Sequence, residues 1–298
     1  MDILKNTFKN YFGIELPEYE EMPIGLFENK NEYTRYFKKT VYFKQAVIIP
    51  LIDKGMKKDD MIIDLASGDG QMSLALFLLG FKKVTLFDLD RERLELGVKM
   101  IQFFLGKEIE IKTICDTAMN FNHKFDVMIS YQTIEHLSNK GNYSIASRDC
   151  QRQFLKSINN NISKLCYFNA PNYTFPIDGH DTGKLFFHYL PIYIREIIIG
   201  KGWVKCSWAG ISQPVSVNFL NKYLTSFNLV SNYYAFDTME SYLQSQAPFD
   251  YMGNRVVDYD INNLPFKKRV ISFLAKILGK NTQNILPSLS VIYKINSK

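Results

Sequence analysis

Two acids and two glycines are spaced to hold a nucleotide. Asp64 closes an apolar run at 61–65, Gly68 and Gly70 follow, and Asp88 ends the next apolar run 18 residues after Gly70. Glycine reaches positive φ and lets backbone come close to a ligand. A helix starting behind such a turn offers free N–H groups to a carboxylate or phosphate. An acid at the end of the following strand accepts hydrogen bonds from ribose hydroxyls. The bland alternative is a tight turn with an incidental surface acid. The run Gly68-x-Gly70-x-x-Ser73 also comes near the GxGxxG pattern of dinucleotide sites, which keeps NAD in view.

These residues need elements to position them. A helix is expected over 33–49, with Pro50 breaking or restarting it and Gly55 as a stop. A buried strand at 61–65 leads to a helix from Gln71 to about Leu79, ended by Gly80. A strand at 84–88 follows, then a helix capped by Asp90 with Leu94, Val98, Ile101 and Leu105 on one face. The alternation of residues 108–114 predicts a strand with one polar face. Strands are also expected at 125–131 and 164–169, with a helix over 151–162 between them. Strands alternating with helices imply a parallel sheet covered on both faces. Right-handed crossovers then place the strands' carboxyl ends on one edge, where ligands bind.

The chain as a whole narrows the partners. Its 298 residues suit one large domain with additions. A net charge of +6 and a pI near 8.9 fall short of a nucleic-acid binder's basic signature. Cys115, Cys150, Cys166 and Cys206 lack the spacing of a zinc site and suit a reduced compartment. No apolar run reaches a membrane span, and the first residues lack a signal peptide's apolar core. The expectation is a cytoplasmic protein that does not bind nucleic acid.

Four stretches carry a resemblance. DLASGDG at 64–70, LFDLD at 86–90, CDTAMNF at 115–121 and FDVMISYQTIEHL at 125–137 resemble successive motifs of class I S-adenosylmethionine-dependent methyltransferases, particularly the type 11 small-molecule group. The resemblance covers about 57–172 and departs at Ala66, where that family usually has a glycine; alanine costs little there if φ is negative. It implies a Rossmann-like, seven-stranded, mostly parallel sheet of order 3-2-1-4-5-7-6. Residues 228–236 and 288–295 would be strands six and seven. Residues 1–56 would form an N-terminal helical cap, and insertions would occupy about 173–214 and 239–286 of a 57–298 catalytic domain. S-adenosylmethionine is the implied cofactor. Asp64, Ala66, Gly68 and Gly70 would frame its methionine end, and Asp88 with Leu89 its ribose. Asp116 and Thr117 would lie beside the adenine, and Ser130 and Gln132 would line the floor near the sulfonium. A turn role for Asp116 and plain solvent exposure for Thr117 and Gln132 compete with those readings.

Methyl transfer from a sulfonium is an in-line displacement that needs alignment and exclusion of water. A hydroxyl acceptor also needs a base. Of the four histidines, His123 sits in a polar loop, while His136, His180 and His188 follow strands four and five. His180 is the first candidate base, with Asp181 beside it as an orienting partner; the alternative is that the pair steadies its loop. His136, next to Glu135, is the second candidate, against a capping or packing role. A divalent metal on His136, His180 and Asp181 is set aside, because the acidic cluster of metal-dependent catechol methylation is missing after strand four. No metal is therefore expected.

The acceptor is read by elimination. DNA amino-methyltransferases carry an Asn/Asp-Pro-Pro-aromatic run where this chain has SYQTI, no Pro-Cys nucleophile follows, and an arginine clamp would need a second glutamate. A small molecule, sugar or surface-glycan intermediate remains, and the 171–191 stretch resembles loops of bacterial polysaccharide-assembly methyltransferases. The aromatic residues Tyr33, Tyr36, Phe37, Tyr42 and Phe43 read as a lid over the acceptor or, for most of them, as core packing. Residues 266–280 place Phe266, Val270, Phe273, Leu274 and Ile277 on one helical face and five basic residues elsewhere, as a helix lying on the inner membrane face would, and equally as the surface helix of a globular domain. An NAD-dependent or sugar-nucleotide oxidoreductase and a catalytically silent nucleotide-binding module stay open as alternatives.

Overall fold

The computed structural model describes residues 2–138, 145–178, 180–206, 210–232 and 288–296. They fall into two compact units, one holding the described residues up to Cys115 and the other those from Asp116 onward.

In the first unit, strands β1 (Ile62–Leu65), β2 (Val84–Asp88) and β3 (Lys112–Cys115) pair in parallel. Every residue of β1 and β2 is buried, as parallel strands covered on both faces require. β3 is shorter than the alternation at 108–114 suggests. Its pairing with β2 begins at Thr85↔Lys112, and residues 108–111 take no part in it. Alternation marks a half-buried face but not where a partner strand starts.

Among the described residues, five α-helices belong to this unit: α1 (Asp2–Phe12), α2 (Lys30–Phe43), α3 (Ile49–Asp53), α4 (Gln71–Leu78) and α5 (Arg91–Leu105). Asn29 caps α2 by accepting from the N–H groups of Asn31 and Glu32. Pro50 restarts a helix rather than ending one. It lies in the first turn of α3, where an N–H is not needed, after a π turn at Lys44–Ile48 in which Ile49 N–H donates to Lys44 O. Tyr33, Tyr36, Phe37, Tyr42 and Phe43 are all buried. Edge-to-face contacts join Phe37 to Phe8, Phe27 and Tyr33, which is core packing. Asp90 caps α5 as expected, but the buried face runs through Leu94, Gly97, Met100 and Ile101, and Leu105 is exposed.

In the second unit, β4 (Phe125–Tyr131) and β5 (Ile162–Pro171) are parallel, while β7 (Ser288–Ile295) pairs antiparallel with both β5 and β6 (Phe227–Asn232). Its α-helices among the described residues are α6 (Arg148–Asn161), α7 (Ile192–Gly200) and α8 (Val217–Tyr223). α6 starts earlier than expected because Ser147 supplies the cap, its hydroxyl accepting from Cys150 N–H. His136 ends a short 3₁₀ turn, Ile134–His136. The sheet order is β3-β2-β1-β4-β5-β7-β6, as the resemblance implies. Residues 233–236 of the expected sixth strand, the 239–286 insertion and the basic 266–280 stretch lie outside the described residues. Among the described residues no helix is long and apolar enough to cross a membrane.

Candidate functional site

The glycine loop occupies the first unit. β1 ends at Leu65, and Ala66 turns the chain at φ +58°. That left-handed conformation costs an L-residue about 1–2 kcal/mol, so the low cost expected of alanine at negative φ does not hold. Ser67 N–H donates to Phe87 O, and Gly70 N–H donates to Ser67 O at 3.0 Å, closing a turn with Gly68 at φ +53°. A Cβ on Gly68 would meet only Arg93 Nη1, at 3.7 Å, so this glycine is required here for its φ. Gly70 answers a different need. A Cβ there would lie 2.9 Å from Gly97 Cα, so Gly70 lets the start of α4 press on α5. Tyr36 Oη donates to Asp69 O at 3.0 Å and fixes the far side of the turn.

Asp88, at the end of β2, ties this loop to α5. Its Oδ2 accepts from Gly68 N–H at 2.8 Å and its Oδ1 from Asp90 N–H at 2.9 Å. Each oxygen keeps a second lone pair for a ligand hydroxyl. Leu89 beside it is exposed, and its carbonyl accepts from Cys115 Sγ. Asp64 is buried and receives the Ser73 hydroxyl at 2.7 Å. Burial raises its pKa to about 7; the Ser73 bond opposes that rise and the Asp88 charge adds to it. Ser67, which the sequence reading passes over, has a buried hydroxyl with no hydrogen-bond partner among the described residues. A small polar residue inside a glycine turn was its only signal.

In the second unit, Asp116 and Thr117 follow β3 in a turn. Asp116 Oδ1 accepts from Thr117 N–H and Asn120 Nδ2, and Thr117 Oγ1 accepts from Met119 N–H. Both are half-buried turn and cap residues as they stand. At the end of β4, Ser130 is fully buried and its hydroxyl has no partner among the described residues. Gln132 is left-handed at φ +53°, and both its N–H and its side-chain amide donate to Asn169 on β5. Its amide is therefore bound to β5 rather than exposed to solvent.

Past Gln132 the chain delivers Glu135 and His136, and the segment after β5 delivers His180 and Asp181. Glu135 Oε1 stands 3.7 Å from His136 Nε2 and 3.9 Å from His180 Nε2. The two imidazole rings are 4.8 Å apart. His180 Nδ1 is 3.0 Å from Asp181 Oδ1, and Asp181 Oδ2 accepts from Ser212 N–H at 2.9 Å. Residues 211–215 hold both contributors. Gln213 N–H donates to Glu135 O, while the buried Gln151 amide donates to Ile134 O and Gln213 O. Asp178 braces the loop by accepting from Asp181 N–H and Thr182 Oγ1.

The electrostatics of this cluster are uneven. Burial raises the Glu135 pKa to about 7, against the pull of the His180 charge. Burial lowers the His136 pKa to about 4, and His180 lowers it further. Burial also works to lower the His180 pKa, but the Asp181 hydrogen bond and the charges of Glu135, Asp181 and Asp178 carry it above its ordinary value. His188 stands apart from this chemistry. It is buried against Tyr173 and Tyr189 and bonds Tyr173 O through Nε2. His123 is exposed, as expected. The structure brings the two candidate bases, His180 and His136, into one cluster with Asp181, and Glu135 stands between the two imidazoles.

No protein-family model matches the chain, and no curated protein matches it in sequence. Solved structures do match. Magnesium protoporphyrin IX methyltransferase from Synechocystis PCC 6803 with bound SAH is 10% identical with a TM-score of 0.50, over 99% of this chain and 97% of that one. An S-adenosylmethionine-dependent methyltransferase from Clostridium acetobutylicum ATCC 824 is 13% identical with a TM-score of 0.49, over 87% and 92%. A comparable protein from Listeria monocytogenes is 11% identical with a TM-score of 0.45, over 85% and 100%. At 10% identity what this chain shares with magnesium protoporphyrin IX methyltransferase is the fold, a Rossmann-like α/β architecture, whose sheet order in this chain is β3-β2-β1-β4-β5-β7-β6.

Proposed function

We propose that the protein is an S-adenosylmethionine-dependent methyltransferase of the class I type, close to the type 11 small-molecule group, acting on a hydroxyl of a small molecule, sugar or glycan intermediate. The observation that carries the reading is the glycine turn held by Asp88 through Gly68 N–H, beside a buried Ser67 hydroxyl that lacks a partner. Those residues fit the cofactor: an orphaned donor and an acid with spare lone pairs are what an amino-acid and ribose ligand would satisfy. The cofactor supplies an electrophilic methyl group on sulfur.

The chain's own residues do the rest. Asp64, Ala66, Ser67, Gly68 and Gly70 would hold the methionine portion, and Asp88 with Leu89 the ribose. Asp116 and Thr117 would sit at the adenine, and Ser130 and Gln132 near the sulfonium. His180 Nε2, fixed by Asp181 behind Nδ1, is aimed to take a proton from a hydroxyl acceptor. Glu135 stabilises the imidazolium that forms. Residues 1–56 as a cap, and 173–214 as the acceptor-side insertion of a 57–298 catalytic domain, complete the proposal.

Parallel calorimetric titrations of the full chain with S-adenosylhomocysteine and with NAD test the cofactor. Saturable binding of S-adenosylhomocysteine alone is expected. Binding of NAD alone would return the oxidoreductase reading, and binding of neither would remove both.

A further inference from the structure

We infer that Glu135, His136 and His180 form a binding site for one first-row divalent transition-metal ion of the zinc class. The one-ligand-per-residue set of a carboxylate oxygen and two imidazole nitrogens lies within 4.8 Å of itself, with the carboxylate 3.7 and 3.9 Å from the two Nε2 atoms. An ion about 2.0–2.2 Å from each ligand needs them roughly 3–3.5 Å apart. Side-chain rotations of about an ångström close that difference.

The independent observation is Glu135 itself. It is fully buried, and neither of its carboxylate oxygens has a hydrogen-bond partner among the described residues. A buried carboxylate without a hydrogen-bond partner is among the costliest arrangements a core can hold. Its backbone is not free to withdraw it, because Gln213 N–H grips Glu135 O and Gln151 grips the carbonyl before it. A cation bound at Oε1 supplies the missing partner.

The third observation is the support behind His180. Its Nδ1 faces Asp181 Oδ1 at 3.0 Å, so the proton sits there and the Nε2 lone pair faces Glu135. Asp181 is in turn fixed by Ser212 N–H and buried. A carboxylate behind a ligating imidazole sets its tautomer and raises its basicity. Two imidazoles and one carboxylate select zinc, cobalt, nickel or iron over magnesium or calcium. The sequence reading considered Asp181 as the third ligand and set metal aside. The structure puts Asp181 behind the histidine and Glu135 in front.

Three protein ligands leave a position open for a water or a substrate hydroxyl, whose proton then passes more readily to solvent water. With the ion bound, His180 Nε2 is a ligand, and the ion replaces the imidazole in activating the hydroxyl. The metal site stands whether or not the protein transfers methyl groups.

Chelator-treated full chain, titrated with Zn²⁺ by calorimetry and by imidazole ¹⁵N NMR, tests it. The expected result is one ion per chain, with the resonances of His136 and His180 shifting and those of His123 and His188 staying. Glu135→Gln should abolish saturable binding. Asp181→Asn, a change in the positioning residue, should weaken it about 10- to 100-fold. His123→Gln should leave it unchanged. The NMR arm needs no variant, so a misfolded mutant does not shield the proposal. No saturable binding, or shifts at His123 or His188 instead, would overturn it, as would an affinity in folded Glu135→Gln equal to the wild type.

Discussion

The glycine loop and the histidine cluster are built in opposite ways. The loop is contiguous: Ala66 to Gly70 are consecutive, with Phe87 and Asp88 joining from the neighbouring strand and Tyr36 from α2. Backbone does most of the holding, through the N–H groups of Ser67, Gly68 and Gly70. The cluster gathers side chains from two separated segments, at 135–136 and 180–181, braced by the backbone N–H groups of Ser212 and Gln213, and depends on buried acids and imidazoles for its shape. A loop of the first kind tolerates loss of one side chain and fails by degrees. A cluster of the second kind leaves charges stranded when a member is removed. Substitutions in the loop should therefore shift affinity and stability, and substitutions in the cluster should shift rate.

The largest expected effect is at His180. His180→Ala should leave S-adenosylhomocysteine affinity intact and lower turnover about 100- to 10,000-fold, the usual contribution of a general base. In metal-free wild type the rate should rise with pH, since the base must be unprotonated. The limb should sit above the histidine reference of about 6.5 because the Asp181 bond and the Glu135 charge outweigh burial. Turnover equal to wild type would reduce the cluster to scaffolding. A raised Michaelis constant with the pH profile preserved would mean that His180 only steadies its loop.

Next comes Asp88→Ala. It removes an acceptor from the proposed ribose contact and from Gly68 N–H together, so S-adenosylhomocysteine binding should weaken by about 1.5–3 kcal/mol. Calorimetry on a variant with an unchanged circular dichroism spectrum decides it. Full affinity in the folded variant would take Asp88 out of the site and make it a loop tie alone.

The smallest effect is at Ala66→Gly. Relief of a left-handed alanine, about 1–2 kcal/mol, exceeds the added entropy of an unfolded glycine, about 0.4–1 kcal/mol. A modest rise in Tm is expected. A fall would show that the alanine methyl contributes packing that outweighs its strain.

The same contrast governs what could be read from the sequence. β1, β2 and β4 were legible because they are short, apolar and bounded, and the glycine turn because its residues are adjacent. The start of β3 was not, since alternation at an exposed edge marks a half-buried face without fixing where pairing with β2 begins. The φ of Ala66 was hidden because nothing local forces a small residue to be left-handed. It is set by where β1 ends and α4 must begin. His180 and Asp181 were singled out together, and the orienting contact was within reach of adjacency. Glu135 was visible beside His136, but its importance comes from burial without partners, a property of three-dimensional enclosure that no spacing encodes.

The contact between Gly70 and Gly97 constrains the chain's history as well as its shape. A methyl on Gly70 would press on the backbone of Gly97, and one on Gly97 would lie 3.0 Å from the Leu86 side chain and 3.3 Å from Gly70 Cα. Gly70 cannot enlarge without moving the backbone of α5, enlarging Gly97 requires Leu86 and Gly70 to give by a few tenths of an ångström, and enlarging both together makes the crowding worse. The two sites form a mutual lock across 27 residues of sequence. A library randomised at both codons and selected for folding should return glycine at each, with no compensating pair. Variation that retunes what the loop binds must then enter through Ala66, Ser67 and Asp69, leaving the hinge point between the helices fixed.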